Sequence, residues 1–253
     1  MHREKELNEL VERLKEAAGR NLNAVVLYGS GVDHEFHEGH SDLNILCLLN
    51  QAGGTAMSKL RPVGRWWWHK GHPAPLVFTI EELRHSADIF AIELLDIKQR
   101  HHMLLGEDFF ADFDVPMALH RLQVERELRL AVVRLRQAFL RSHGRRSALA
   151  ELMIASASTF ATLFRHSLIA LGEAPSVSHR GATDRFAALI GFDPAAFHTV
   201  LDLREGKKAT KELSHDQSFA AYLDAVTRAA EEMDRLLAVK VTNSPKQTAL
   251  AAS

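Results

Sequence analysis

Two short apolar runs near the N-terminus, residues 24–28 and 43–49, carry the clearest pattern in the chain. Short runs rich in valine, leucine and isoleucine between polar segments predict buried β-strands. Before them, apolar positions recur at helical spacing while the remaining positions are charged, which predicts an amphipathic helix that ends at Gly19. The apolar stripe of this helix consists of Leu7, Leu10, Val11 and Leu14.

After the second strand, helical and strand patterns alternate up to about residue 115. The pattern predicts, in order, a helix at 55–69, a strand at 75–80, a short helix at 81–87 and a strand at 89–97. Such alternation is typical of an α/β (α+β) domain with a small mixed sheet, here over residues 1–115.

The pattern from residue 116 to residue 240 is helical almost throughout, which predicts an all-α antiparallel bundle. The predicted helices lie at 117–142, 147–171, 184–190, between Asp193 and Gly206, and at 217–239. The last residues, 241–253, are small and polar, and we expect them to be disordered.

The polar segment between the first two strands contains the candidate chemistry. The first strand runs into Gly29, Ser30 and Gly31, and the second is preceded by Asp42 and begins near Asn44. Small residues after a strand let backbone N–H groups approach a phosphate. Because side chains alternate along a strand, Asp42 and Asn44 share a face. A phosphate cradle beside such a pair is the arrangement expected for metal-assisted phosphoryl or nucleotidyl transfer.

The sequence Leu27-Tyr28-Gly29-Ser30, followed a dozen residues later by Ser41-Asp42-Leu43-Asn44, resembles the DNA polymerase β-type nucleotidyltransferase superfamily. The resemblance implies a nucleotidyltransferase-fold N-terminal domain that binds a nucleoside triphosphate with Mg²⁺ (or Mn²⁺). It implies nucleotide-binding roles for Gly29, Ser30 and Gly31, and catalytic, metal-binding roles for Asp42 and Asn44.

A helical domain behind such a domain is similar to the layout of the aminoglycoside nucleotidyltransferases, kanamycin nucleotidyltransferase among them. That likeness implies a hydroxyl acceptor, of unknown identity, held between the two domains.

The chain departs from the superfamily pattern at two points. The second acid of the pair is replaced by Asn44, whose amide oxygen is a metal ligand without negative charge. The third acid has no counterpart on the predicted strand at 75–80. Glu93 and Asp96 are substitutes by position only; on a strand at 89–97 they would lie on opposite faces, so at most one would face Asp42. We take Glu93 as the third predicted metal ligand.

Two hypotheses are about equally supported by these residues. The first is an enzyme that transfers a nucleotidyl group to a hydroxyl acceptor. The alternative is a catalytically impaired protein of the same fold that acts as a nucleotide sensor or as a protein-interaction module. A less favoured form of the alternative is an antitoxin-like role, because some domains of this superfamily pair with HEPN toxins.

Two further patterns have both a functional and a structural interpretation. His34, His37 and His40 recur every third residue; a solvated loop is favoured over a metal site, because the spacing matches no ligand pattern. The run 66–68 is three tryptophans, and packing of one or two of them is favoured over a stacking platform for a base, because consecutive residues cannot share one helix face.

The helix at 117–142 is rich in arginine, and a solvated face with pairs such as Glu125 with Arg129 is favoured over an electrostatic wall for a nucleotide or RNA.

Composition narrows the possible partners and the cellular compartment of the protein. With a formal net charge of −1 over 253 residues, the protein has no overall electrostatic attraction to nucleic acid or to an anionic membrane. A single cysteine, Cys47, excludes an internal disulfide framework and agrees with a reducing compartment. No secretory signal or transmembrane run is recognisable. We therefore expect a cytoplasmic protein whose partner is a nucleotide, and the pattern is compatible with a homo-oligomer.

Overall fold

A computed structural model of the protein describes residues 2–32, 43–143, 145–174, 178–208 and 215–242. The chain divides into two units, Met1–Pro116 and Met117–Ser253. Unit 1 contains a small mixed sheet and its covering helices, and the described part of unit 2 is helical. The predicted fold class is thereby confirmed.

Unit 1 is built on a four-stranded sheet with the strand order β3-β2-β1-β4. Strand β1 pairs antiparallel with β2 and with β4, whereas β2 and β3 run parallel. The elements in chain order are α1 (His2–Ala18), β1 (Leu22–Tyr28), β2 (Asn44–Leu49), α2 (Gly54–His69), β3 (Leu76–Thr79), α3 (Ile80–His85), α4 (Ala91–Gln99) and β4 (His101–Leu105).

The two central strands are apolar because both of their faces are covered. One face packs its side chains, Val25 and Cys47 among them, against the buried stripe of α1 and against α2. The other face, with Val26 and Leu46, packs against buried residues of α3 and α4. The predicted stripe of α1 is fully confirmed, since Leu7, Leu10, Val11 and Leu14 are all buried.

The predicted strand at 89–97 is wrong, because this segment is helix α4. Its buried positions include Ala91, Leu94 and Ile97, which recur every three residues and therefore lie on one side of a helix. The inference that Glu93 and Asp96 lie on opposite faces assumed a strand, so it no longer holds. The sheet gains its fourth strand from β4 instead, which the apolar pattern did not predict.

The tryptophan run confirms the packing interpretation. Helix α2 continues through Pro62, and Trp67 is completely buried while Trp68 is 65% exposed. Trp66 is half-buried, with the Arg13 guanidinium 4.5 Å from its ring centroid. The three rings therefore do not form one exposed stacking surface.

Unit 2 contains α5 (Met117–Arg141), α6 (Arg146–Ala170), α7 (His179–Ile190), α8 (Ala195–Arg204) and α9 (His215–Thr242). Its core is an aromatic cluster in which Phe164 of α6 contacts Phe186 and Phe197. Among the described residues, α6 is the one helix long and apolar enough to cross a membrane by length and composition. It contacts the other four helices of unit 2, as a core helix does.

The arginine-rich helix α5 pairs its charges as a solvated face does. The Arg129 guanidinium lies 3.1 Å from Glu125 and 2.7 Å from Asp234 of α9. The predicted pairing of Glu125 with Arg129 is confirmed, and this arginine is engaged within unit 2.

Candidate functional site

The turn that follows β1 requires glycine at its first position. Gly29 has a φ of +74°, and a Cβ atom placed on it would lie 3.3 Å from the side-chain nitrogen of Asn44. Its N–H donates to the carbonyl oxygen of Arg100 at 3.1 Å, and its own carbonyl accepts from Val32 at 3.0 Å. The turn Gly29–Gly31 is therefore anchored to the residue just before β4 and presses closely against the start of β2.

Three polar side chains form a row across the sheet beside this turn. Tyr28, the last residue of β1, is the register partner of Asn44 on one side and of His101 on the other. Side chains of directly paired residues lie on the same face of a sheet. We call His101, Tyr28 and Asn44 the polar row.

His101, at one end of the polar row, is tightly held. Its Nδ1 lies 3.0 Å from the carbonyl oxygen of Ile97, and its Nε2 lies 3.0 Å from a carboxylate oxygen of Asp108. The same Asp108 oxygen accepts from the Phe110 N–H at 2.9 Å. The imidazole thus links α4, β4 and the following loop, and it holds the residue that follows Arg100, to which the Gly29 turn is bonded.

Tyr28, at the centre of the row, is half-buried, and burial raises the pKa of its hydroxyl above the usual range. At neutral pH the hydroxyl stays protonated and remains a hydrogen-bond donor. The side chain packs against the apolar cluster on the Val26 face of the sheet.

Several predicted site residues lie outside the described part of the structure. These are Asp42, the side chain of Ser30, and the histidines His34, His37 and His40. Of the predicted nucleotide-binding and catalytic residues, the structure brings Gly29, Gly31 and Asn44 together at the ends of β1 and β2.

Glu93, the predicted third metal ligand, is an exposed residue in the first turn of α4. That helix covers the sheet face to which Leu46, and by alternation Asn44, belongs. Within the described ranges, no three His, Cys, Asp or Glu side chains cluster closely enough to hold a metal ion. The assignment of Glu93 stays a prediction.

His72 contacts the start of β2 next to the candidate site, and the sequence did not reveal this contact. Its Nδ1 lies 3.4 Å from the N–H of Leu43, the residue between Asp42 and Asn44. The ring packs on Trp67 with 4.3 Å between centroids, and its Nε2 lies 3.6 Å from a carboxylate oxygen of Glu6. No sequence signal marks this role, because His72 reaches the start of β2 only through the parallel pairing of β3 with β2.

We expect His72→Phe to lower the free energy of unfolding by about 1–2 kcal/mol, because the ring still packs but the Leu43 N–H loses its acceptor. The measurement is urea unfolding of the whole chain. His85→Phe is the matched control: His85 is exposed at the end of α3, so its change should stay within about 0.5 kcal/mol. Equal losses in both variants would show that the Nδ1 contact contributes nothing.

Comparison with known proteins shows a likeness to solved structures. No family model matches the sequence, and no curated protein matches it. Among solved structures, the chain is similar to spectinomycin adenyltransferase AAD(9) from Enterococcus faecialis with ATP and spectinomycin, with a TM-score of 0.53 and 12% identity. The match covers 89% of this chain and 98% of that one. At this identity the likeness shows a shared fold.

Proposed function

We propose that this chain binds a nucleoside triphosphate at the Gly29–Gly31 turn and transfers its nucleotidyl group to a hydroxyl acceptor. The contact that carries the proposal is the approach of Gly29 to the side chain of Asn44, with 3.3 Å separating its Cβ position from the amide nitrogen. We take this turn as the phosphate-binding turn and Asn44 as the second position of the acidic pair, as the resemblance to the superfamily implies. The fold shared with an adenyltransferase that was solved with ATP supports ATP as the donor.

The turn offers a definite set of phosphate ligands. The Gly29 N–H is already bonded to Arg100, so it serves the fold rather than the ligand. We assign phosphate binding to the amides of Ser30 and Gly31 and to the Ser30 hydroxyl. The protonated Tyr28 hydroxyl, in the next position of the polar row, is a further donor to the triphosphate.

The donor set suits a weakly bound divalent cation. Asn44 offers an amide oxygen and Asp42 a carboxylate, and oxygen ligands of this kind are preferred by Mg²⁺ and Mn²⁺. When bound, the ion neutralises phosphate charge and polarises the α-phosphoryl group. One carboxylate in place of two lowers the negative charge of the site, so a higher Mg²⁺ concentration should be needed.

The proposed reaction is a substitution at the α-phosphorus. The acceptor oxygen forms a new bond to phosphorus, the bond to pyrophosphate breaks, and the hydroxyl proton is released to water. The residues of the turn orient the triphosphate, and such positioning accounts for much of the rate in phosphoryl chemistry.

A second candidate function, nucleotide binding without turnover, is favoured by the composition of β3. This strand pairs with residues 46–49 of β2 and contains only Leu76, Val77, Phe78 and Thr79, so it offers no acid as a counterpart of the superfamily's third acid. The chain would then act as a nucleotide sensor or as a module that binds another protein.

Calorimetry with ATP and with GTP, each with and without Mg²⁺, tests the binding step on the parent chain and on Asp42→Ala. We expect binding that depends on Mg²⁺ and is lost in Asp42→Ala. Binding of neither nucleotide to the parent would overturn the proposal.

We expect Asn44→Asp to strengthen Mg²⁺-dependent ATP binding about tenfold, equivalent to about 1.4 kcal/mol, because it adds a carboxylate to the cation site. Asn8→Asp, on the exposed side of α1, adds the same charge away from the site and should change nothing. Pyrophosphate release then separates the two functions. Release by the parent chain supports an enzyme, and tight binding with no release by either protein when hydroxyl compounds, spectinomycin among them, are supplied as acceptors supports the sensor.

A further inference from the structure

Unit 1 contains a cavity on the sheet face opposite the polar row. It measures about 550 Å³, within the range of pockets that hold small organic ligands. Its floor includes Cys47 and Val77 of two neighbouring strands, and Leu14 and Leu60 contribute from α1 and α2. Burial raises the pKa of the Cys47 thiol to about 12, so the floor is uncharged as well as apolar.

A glycine inside α2 keeps this cavity open. Gly64 lines it, and a Cβ atom added there would meet no other atom within 4 Å. Glycine inside a helix is less favourable than alanine. Gly64 has no positive φ and no close neighbour that would require it. A larger side chain at this position would occupy the free space in the cavity.

Two arginines of α2 line the same cavity. Arg61 and Arg65 are four residues apart, so they lie on one side of the helix, and both are exposed. Within the described residues neither guanidinium forms an ion pair, whereas the nearby cations Arg13 and Lys70 lie against Glu9 and Glu6. Two guanidinium groups without carboxylate partners, above an apolar floor, match an anion that carries an apolar body.

We propose that this cavity binds a small organic carboxylate with an apolar chain, its carboxylate held by Arg61 and Arg65 and its chain lying on Leu14, Leu60 and Val77. The cavity and the polar row lie on opposite faces of the sheet. Its ligand is therefore distinct from the nucleotide, and the proposal does not depend on the nucleotidyltransferase function.

Decanoate and 1-decanol, each kept below the concentration at which it aggregates, test the proposal by calorimetry on the full chain. We expect decanoate to bind and 1-decanol to bind at least tenfold more weakly, because the alcohol has the chain without the charge. In the double variant Arg61→Gln/Arg65→Gln, decanoate affinity should fall at least tenfold. No decanoate binding by the parent, equal affinities for acid and alcohol, or an unchanged affinity in the double variant would overturn the proposal.

A pair of substitutions at Gly64 tests whether decanoate binds in this cavity. Gly64→Ala should raise the melting temperature and still bind decanoate, because a methyl group takes little of the cavity. Gly64→Leu fills the cavity and should abolish binding. Decanoate binding at parental strength by a folded Gly64→Leu protein would contradict the assignment. If that variant does not fold, the arginine variant decides. ATP titrations of the same proteins should match the parent, which separates this result from the nucleotide proposal.

Discussion

Gly29→Ala is expected to weaken ATP binding about tenfold. At a φ of +74° an alanine is strained, and its Cβ atom would lie 3.3 Å from the Asn44 amide nitrogen. Relief of that contact shifts the Asn44 side chain or the turn by a few tenths of an ångström. A misplacement of about 1 Å can cost about a hundredfold in rate, so we expect this smaller shift to cost about tenfold in affinity. Calorimetric titration with ATP and Mg²⁺ measures the effect directly.

Gly19→Ala is the matched control for this result. Gly19 also has a positive φ, +55°, but a Cβ atom there would meet nothing within 4 Å. Both variants carry the backbone strain, about 1–2 kcal/mol, and both should lose stability to that extent. Only Gly29→Ala disturbs Asn44. Equal ATP affinities in the two variants would show that the Gly29 turn is not part of the binding site.

Trp67→Ala is expected to destabilise the protein by about 3–5 kcal/mol, because it empties the volume of a completely buried indole. The effect should reach the candidate site, since Trp67 packs on the imidazole of His72, which contacts Leu43. Chemical denaturation gives the stability change, and ATP titration at a temperature where the variant is folded gives the functional one.

Trp68→Ala provides the comparison for Trp67. Its ring is 65% exposed, so its loss should cost no more than about 0.5 kcal/mol. Trp67→Phe should cost much less than Trp67→Ala, because it keeps an aromatic ring and removes an indole N–H that has no hydrogen-bond partner among the described residues. A large loss for Trp68→Ala would show that its ring is covered in the native protein.

The central strands were predictable because both of their faces are buried. The runs at 24–28 and 43–49 became β1 and β2 almost within their predicted bounds, and the stripe of α1 was read from helical spacing alone. The closeness of the Gly29 turn to Asn44 follows from the antiparallel pairing of two consecutive strands, in which Tyr28 opposes Asn44. Local pattern and a short connection were sufficient for this part of the site.

The error at 89–97 has a definite physical origin. Short apolar runs fit a buried strand or one side of a helix, and a single sequence does not separate the two. The true fourth strand begins with His101 and His102 and pairs with β1 across about seventy residues of chain. That pairing depends on the edge that β1 leaves open, which no local pattern encodes. The role of His101 was hidden for the same reason.

Helix α7 illustrates a smaller error of the same kind. It was predicted from residue 184, yet it begins at His179, because the Ser178 hydroxyl caps it by accepting from the Gly181 N–H at 3.0 Å. Ser178, His179 and Arg180 are all polar, so the apolar periodicity did not indicate that the helix begins there. The His72 contact with Leu43 likewise depends on a strand pairing and left no trace in composition or spacing.

The most direct test of the nucleotide site is a crystal structure of the chain with a non-hydrolysable ATP analogue and Mn²⁺, with anomalous scattering used to locate the metal. We expect a triphosphate against the turn Gly29–Gly31 and a manganese peak beside Asn44. Nucleotide bound at any other place, with the turn empty under conditions where calorimetry shows saturation, would contradict it.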